Sequence, residues 1–181
     1  VKDPARAKSR LSVLGARRPD LAMAFARDTV GAALACDVVA SVTVVTGDPA
    51  VAATMRADGA RVVAEGSTPE LNQVLVCALR AMPNADNIAV LLGDLPAITP
   101  DALGRALALA GLHEAAFLPD AIGSGTTLLT AARRAPLQPR FGPGSAAAHA
   151  QTGAVRLGGP GLEAVRSDVD SIADLLEVAH L

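Results

Sequence analysis

The chain has 181 residues, with 16 Lys and Arg against 18 Asp and Glu, for a formal net charge of -2. It is 51% hydrophobic but only 2% aromatic, with no Trp or Tyr, and alanine fills 39 positions. This balance argues against a disordered chain, which would be poor in Val and Leu, and against a nucleic-acid binder, which needs basic excess and stacking aromatics. What remains is one domain over residues 1–181, with a core of Ala, Val and Leu.

The chain opens at Val1 without Met and reads as the tail of a strand whose beginning lies outside the sequence. A basic loop follows, with Lys2, Arg6, Lys8 and Arg10 within nine residues. Such a loop is placed to neutralise a triphosphate, or else is a solvated basic terminus. A helix is expected over 20–36, with Asp28 on its apolar stripe. Residues 38–46 form a β-branched run that reads as a buried strand, ending in a Gly47-Asp48 turn. A second strand is expected at 60–64. Thr68 and Pro69 then start a helix whose stripe is Leu71, Val74, Leu75, Ala78, Leu79 and Met82.

A third strand at 87–92 runs into Gly93-Asp94-Leu95-Pro96. Thr99 and Pro100 begin a further helix that Gly111 stops. Short strands are expected at 115–118 and 127–130, a helical start at Ser145, and a last helix opened by Asp170 or Ser171. Strands alternating with helices, and apolar enough to be buried on both faces, predict a three-layer α/β fold with a mostly parallel sheet. Cys36 and Cys77 lie in Ala-rich stretches and read as buried free thiols of a reducing cytoplasm. No apolar run is long enough for a membrane span.

In open α/β sheets, ligands bind outside the carboxyl ends of the strands. Asp94 sits at such an end, where a carboxylate can hold Mg²⁺ or merely form a turn. Asp168 and Asp170 alternate along an extended segment, so both carboxylates point one way. Asp170 also reads as a helix N-cap, which leaves Asp168 as the partner of Asp94. The run Gly123-Ser124-Gly125-Thr126-Thr127 and the run Phe141-Gly142-Pro143-Gly144-Ser145 offer backbone N–H and hydroxyl donors to an anion. A helix beginning at Ser145 adds to that attraction. His149 reads as a packing residue. No hydrolase elbow, Cys/His pair or zinc spacing is present.

The ordered set K-x₅-K-S-R-L, Leu71-Asn72, LLGDLP, GSGTTLL and FGPGSAAAH resembles the guanylyltransferases of deazaflavin coenzyme F-420 biosynthesis. These are the 2-phospho-L-lactate guanylyltransferase family with its bacterial phosphoenolpyruvate branch. The resemblance implies a Rossmann-like nucleotidyltransferase fold. It implies Asp94 and Asp168 as ligands of Mg²⁺, and Thr127, Gly142 and Ser145 as holders of a small phospho-acid. Lys2, Lys8 and Arg10 would face the triphosphate of GTP, with Lys8 also counted as catalytic. Glu65, Gly66, Asn72 and Gly93 would lie on the nucleotide side. Phosphoenolpyruvate is the expected acceptor and 2-phospho-L-lactate the alternative. A catalytically silent nucleotide-binding module stands as the reading from another class. No nucleic acid or membrane partner is expected, and a homodimer stays open.

Overall fold

The computed structural model describes residues 16–66, 70–80, 86–132 and 135–180. In chain order the elements are α1 (Arg18–Leu34), β1 (Thr43–Thr46), α2 (Pro49–Ala57), β2 (Arg61–Ala64), α3 (Leu71–Arg80), β3 (Ile88–Leu91) and α4 (Pro100–Ala110). They continue with β4 (Ala115–Pro119), β5 (Thr126–Ala131), α5 (Ser145–Gln151), β6 (Val155–Arg156), α6 (Glu163–Arg166) and α7 (Ile172–Val178). Thr68 and Met82 fall outside the described residues, as does the basic loop with Lys2, Arg6, Lys8 and Arg10.

Strands β1 and β2 pair in parallel. The other four strands form one sheet in the order β3-β5-β4-β6. Strand β5 runs antiparallel to β3 and to β4, while β4 and β6 are parallel. Three of the four strands therefore point one way and β5 alone is reversed. Alternation along β4 and β5 then covers both faces of this sheet. Ala116, Leu118 and Leu128 pack with α4 residues Leu103 and Ala106 and with Val165 of α6. Phe117 and Leu129 pack on the opposite side with Phe141 and Ala146. Both core strands are buried over almost their whole length, as expected of a layer between two others.

Several local expectations change. Of residues 38–46 only the last four form a strand, because the backbone turns where the Val39 N–H meets the Cys36 carbonyl and leaves Val38 67% exposed. The Gly47-Asp48 turn is the start of a helix instead. The Asp48 carboxylate accepts the N–H groups of Ala50 and Val51 at 2.7 and 2.9 Å, and Pro49 takes the first helical turn. Asp28 is exposed, while its neighbour Thr29 is buried. Cys36 is buried as expected, but Cys77 is exposed on the outer face of α3. Among the described residues no helix is long and apolar enough to cross a membrane.

Candidate active site at the strand ends

Asp94 follows the carboxyl end of β3, held by the strand behind it and by the segment before α4. The Leu95 N–H donates to the Thr29 hydroxyl at 3.0 Å, and that hydroxyl donates to the Phe25 carbonyl at 2.9 Å. Helix α1 thereby fixes the backbone next to Asp94. Asp168 arrives from the far end of the chain. The Val169 N–H donates to the Asp94 carbonyl at 3.2 Å, and Val169 is fully buried against Phe25. The strap is tied at its other side by Arg166. Its guanidinium donates to the Pro119 and Asp120 carbonyls at 3.1 and 2.8 Å, while the Ala121 N–H returns a bond to the Arg166 carbonyl.

These ties bring Asp94, Asp168 and Asp170 together, with one ligand atom from each within 4.8 Å of the others. Asp170 does not cap the last helix. Ser171 does, in a reciprocal box with Asp174. Crowding of like charges has a visible effect. Burial first, then the Asp94 and Asp170 charges, push the Asp168 carboxyl up to about 6. An all-oxygen, multiply charged donor set of this kind suits a hard divalent cation.

That shift predicts a pH signature for the metal-free protein. The folded pKa lies above the unfolded value of about 3.9. The contribution of Asp168 to stability is therefore complete below pH 4, and is lost as pH rises to about 6 and slightly beyond. In chelator, the melting temperature of the wild type should fall relative to Asp168→Asn across that window and stay level above pH 7. A difference that does not change with pH would refute the assignment.

Beside the trio lies a cleft of about 190 Å³ lined by Leu71, Leu92, Asp120, Gly125, Thr126, Phe141, Gly142, Ser145 and Asp168. The reversed strand explains its composition. Because β5 runs backward, its first residue Thr126 pairs with Pro119 at the carboxyl end of β4, and the Leu92 N–H bonds the Thr127 carbonyl at the end of β3. Gly142 and Ser145 reach the same edge on the loop before α5. Asn72 pins that loop: its amide nitrogen donates to the Phe141 carbonyl at 3.0 Å, and its oxygen accepts the Phe141 N–H at 2.8 Å.

A MobA-like NTP transferase domain model matches residues 23–156. Phosphoenolpyruvate guanylyltransferase of Streptomyces coelicolor is 48% identical over 97% of this chain and 85% of its own length. The same-named protein of Salinispora arenicola is 48% identical over 100% of this chain and 86% of its own. The chain belongs to the phosphoenolpyruvate guanylyltransferase family. A candidate nucleotide-diphospho-sugar transferase of Desulfovibrio desulfuricans shares the fold, with a TM-score of 0.74 at 17% identity over 97% of this chain and 81% of that one. The protein is thus a nucleotidyltransferase with a Rossmann-like nucleotidyltransferase sheet.

Within this guanylyltransferase family chain, the residues singled out by resemblance do not all meet at one place. Asp94, Asp168, Gly142 and Ser145 converge on one edge of the sheet. Glu65 and Gly66 follow β2, and the Glu65 carboxylate stands over Gly47, where an added Cβ would come within 3.0 Å of it. Gly93 precedes Asp94 at the end of β3. Asn72 is occupied on both ends of its amide by the Phe141 backbone. Thr127 is fully buried behind the cleft, its hydroxyl 3.4 Å from the Leu118 carbonyl it faces. Lys2, Lys8 and Arg10 lie outside the described residues.

The glycine-rich run differs from its expected role. The N–H groups of Gly123, Ser124 and Gly125, expected to face an anion, all donate to the Asp120 carboxylate at 2.6 to 2.9 Å. A carboxylate at the head of a tight turn satisfies the amides three to five residues on, so they are not available to a ligand. Gly125 is required by this closure, since an added Cβ would collide with the Asp120 carboxylate. Asp120 and Arg166 are not among the residues named from the sequence, and Thr126 is named there only within the glycine-rich run. Of the first two, Asp120 has a signal in the sequence, as an Asp at a strand end before a glycine-rich turn.

Proposed function

We propose that the protein transfers a guanylyl group from GTP to phosphoenolpyruvate, releasing pyrophosphate and forming an enolpyruvoyl diphosphate of guanosine. The observation that carries the reading is the trio of Asp94, Asp168 and Asp170 beside a cleft of about 190 Å³ that Asp168 also lines, in a chain of this family. In this reaction the phosphate oxygen of the acid attacks the α-phosphorus of GTP. The phosphate monoester is already ionised near neutral pH, so no protein base is needed. Asp94 and Asp168, with Asp170 at their side, would hold Mg²⁺, whose charge offsets that developing on the transferred group. The protein's own task is alignment. The Arg166 ties and the Thr29 clamp set the carboxylates, while the Asn72-held loop sets Gly142 and Ser145.

The basic residues Lys2, Lys8 and Arg10 are assigned to the triphosphate, with Glu65, Asn72 and Gly93 on the nucleotide side and Thr127 backing the acid subsite. The family resemblance supports a place in coenzyme F-420 biosynthesis and a cytoplasmic setting, with residues 1–181 acting as one nucleotidyltransferase domain. Product masses from GTP and Mg²⁺ incubated with each acid test the assignment. A guanosine diphosphate diester with phosphoenolpyruvate is expected. Diester only with 2-phospho-L-lactate would transfer the assignment to that acid, and no product with either would leave a nucleotide-binding module.

Ser145→Ala separates binding from folding. Helix α5 is capped by Gly144 at φ 72 without any side-chain bond, so the Ser145 hydroxyl has no capping duty. Its loss should raise the KM for the acid by roughly 10- to 150-fold, the worth of a hydrogen bond to a charged group. The KM for GTP and the melting temperature should stay close to wild type. A lower melting point with unchanged KM for the acid would remove Ser145 from the site.

A further inference from the structure

His149 lies on α5 with none of its side chain exposed, between Phe117 and Phe141. Both ring nitrogens are engaged. The Arg140 backbone N–H donates to Nε2 at 2.9 Å, and Nδ1 lies 2.9 Å from the Thr126 hydroxyl oxygen. A backbone amide can only donate, so Nε2 must carry a lone pair. Burial, and then the nearby Arg140 charge, disfavour the imidazolium and hold its pKa down. A neutral ring accepting at Nε2 has its proton on Nδ1, and that proton is donated to Thr126. The Thr126 oxygen is thereby committed as an acceptor, and its own hydrogen has to point elsewhere.

Among the described residues His149 is the one hydrogen-bond partner of that hydroxyl, and Thr126 lines the cleft beside Gly142, Ser145 and Asp168. We propose that Thr126 is a further binding residue for the phospho-acid, donating its hydroxyl hydrogen to an anionic oxygen in the cleft, and that His149 is the positioning residue that aims it. The direction of donation is continuous: Arg140 N–H to His149, His149 to Thr126, Thr126 to the ligand. The same ring ties β5 to the loop carrying Gly142, so the donor and the loop are set together.

This inference rests on the phospho-acid reading of the cleft, and its test distinguishes the two. Thr126→Val keeps the shape and removes the donor. It should raise the KM for phosphoenolpyruvate roughly 10-fold or more, with the KM for GTP changed less than about threefold. Thr126→Ser, which restores a hydroxyl, should recover most of that loss. Equal KM values for the acid in wild type and Thr126→Val would overturn the inference while leaving the reaction intact. A wild type that makes no product from any phospho-acid would overturn the reading and this inference with it. Should Thr126→Val fold poorly, nitrogen NMR of the wild type decides. Of the three histidines, His149 should show protonated Nδ1 and unprotonated Nε2 at pH 7. The opposite tautomer would reverse the donation and refute the proposal.

Discussion

Asp94→Asn should keep the fold and lower turnover on the order of 10³-fold, since metal charge stabilisation is worth several kcal/mol and each 1.4 kcal/mol is tenfold. The substitution preserves size and turn propensity. The tie from the Val169 N–H goes to the Asp94 carbonyl, which Asn also has, so the strap bearing Asp168 should stay docked. What changes is the charge of the trio. A titration of turnover against Mg²⁺ should show a weaker, incomplete activation, and calorimetry should show weaker Mg²⁺ binding in the absence of nucleotide. A folded Asp94→Asn protein with wild-type turnover would dismantle the assignment of this edge as the reaction centre.

The second large effect falls on stability. Asp120→Ala strips the acceptor from three backbone N–H groups at once. Bonds to a charged acceptor are worth roughly 1.5–3 kcal/mol each, but the partly exposed turn lets water replace some of them. A loss of about 3 kcal/mol is the expected outcome, a melting point lower by about 6–12 °C for a chain of this size. Asp120→Asn should recover only part, because its amide nitrogen would face one of the same N–H donors. Turnover should fall as well, as the turn walls the cleft beside Thr126 and receives the Arg166 guanidinium. An unchanged melting point in Asp120→Ala would mean that the turn is held by its glycines and not by the carboxylate.

The contrast between what a linear reading of the chain reveals and what it conceals follows from the range of the interactions. Asp94 stands out because an apolar strand and a proline bracket it within six residues. The pairs Thr99-Pro100 and Asp48-Pro49 use the same cap, yet the second reads locally as a turn because it directly follows a β-branched run. Which of the adjacent Thr126 and Thr127 reaches the cleft is another matter. It depends on β5 running backward between β3 and β4, a pairing no local window contains. Asn72 meets Phe141 across 69 residues, and nothing around Asn72 announces that bond. The amides of Gly123 to Gly125 mislead in a different way. A run of glycines advertises open N–H groups, but a carboxylate only three positions earlier had already claimed them.

The strap from Arg166 to Asp170 has a bearing on how the enzyme comes into being. The six strands of the described residues, and the loop that carries Ser145, all precede this strap in the chain. Asp168 and Asp170 therefore join a sheet edge that is built from earlier residues, Asp94 among them. Until the strap docks on the ends of β3 and β4, that edge holds one carboxylate where the proposed chemistry needs a group of them. Competence to handle a reactive nucleotide would in this way be tied to the docking of the strap.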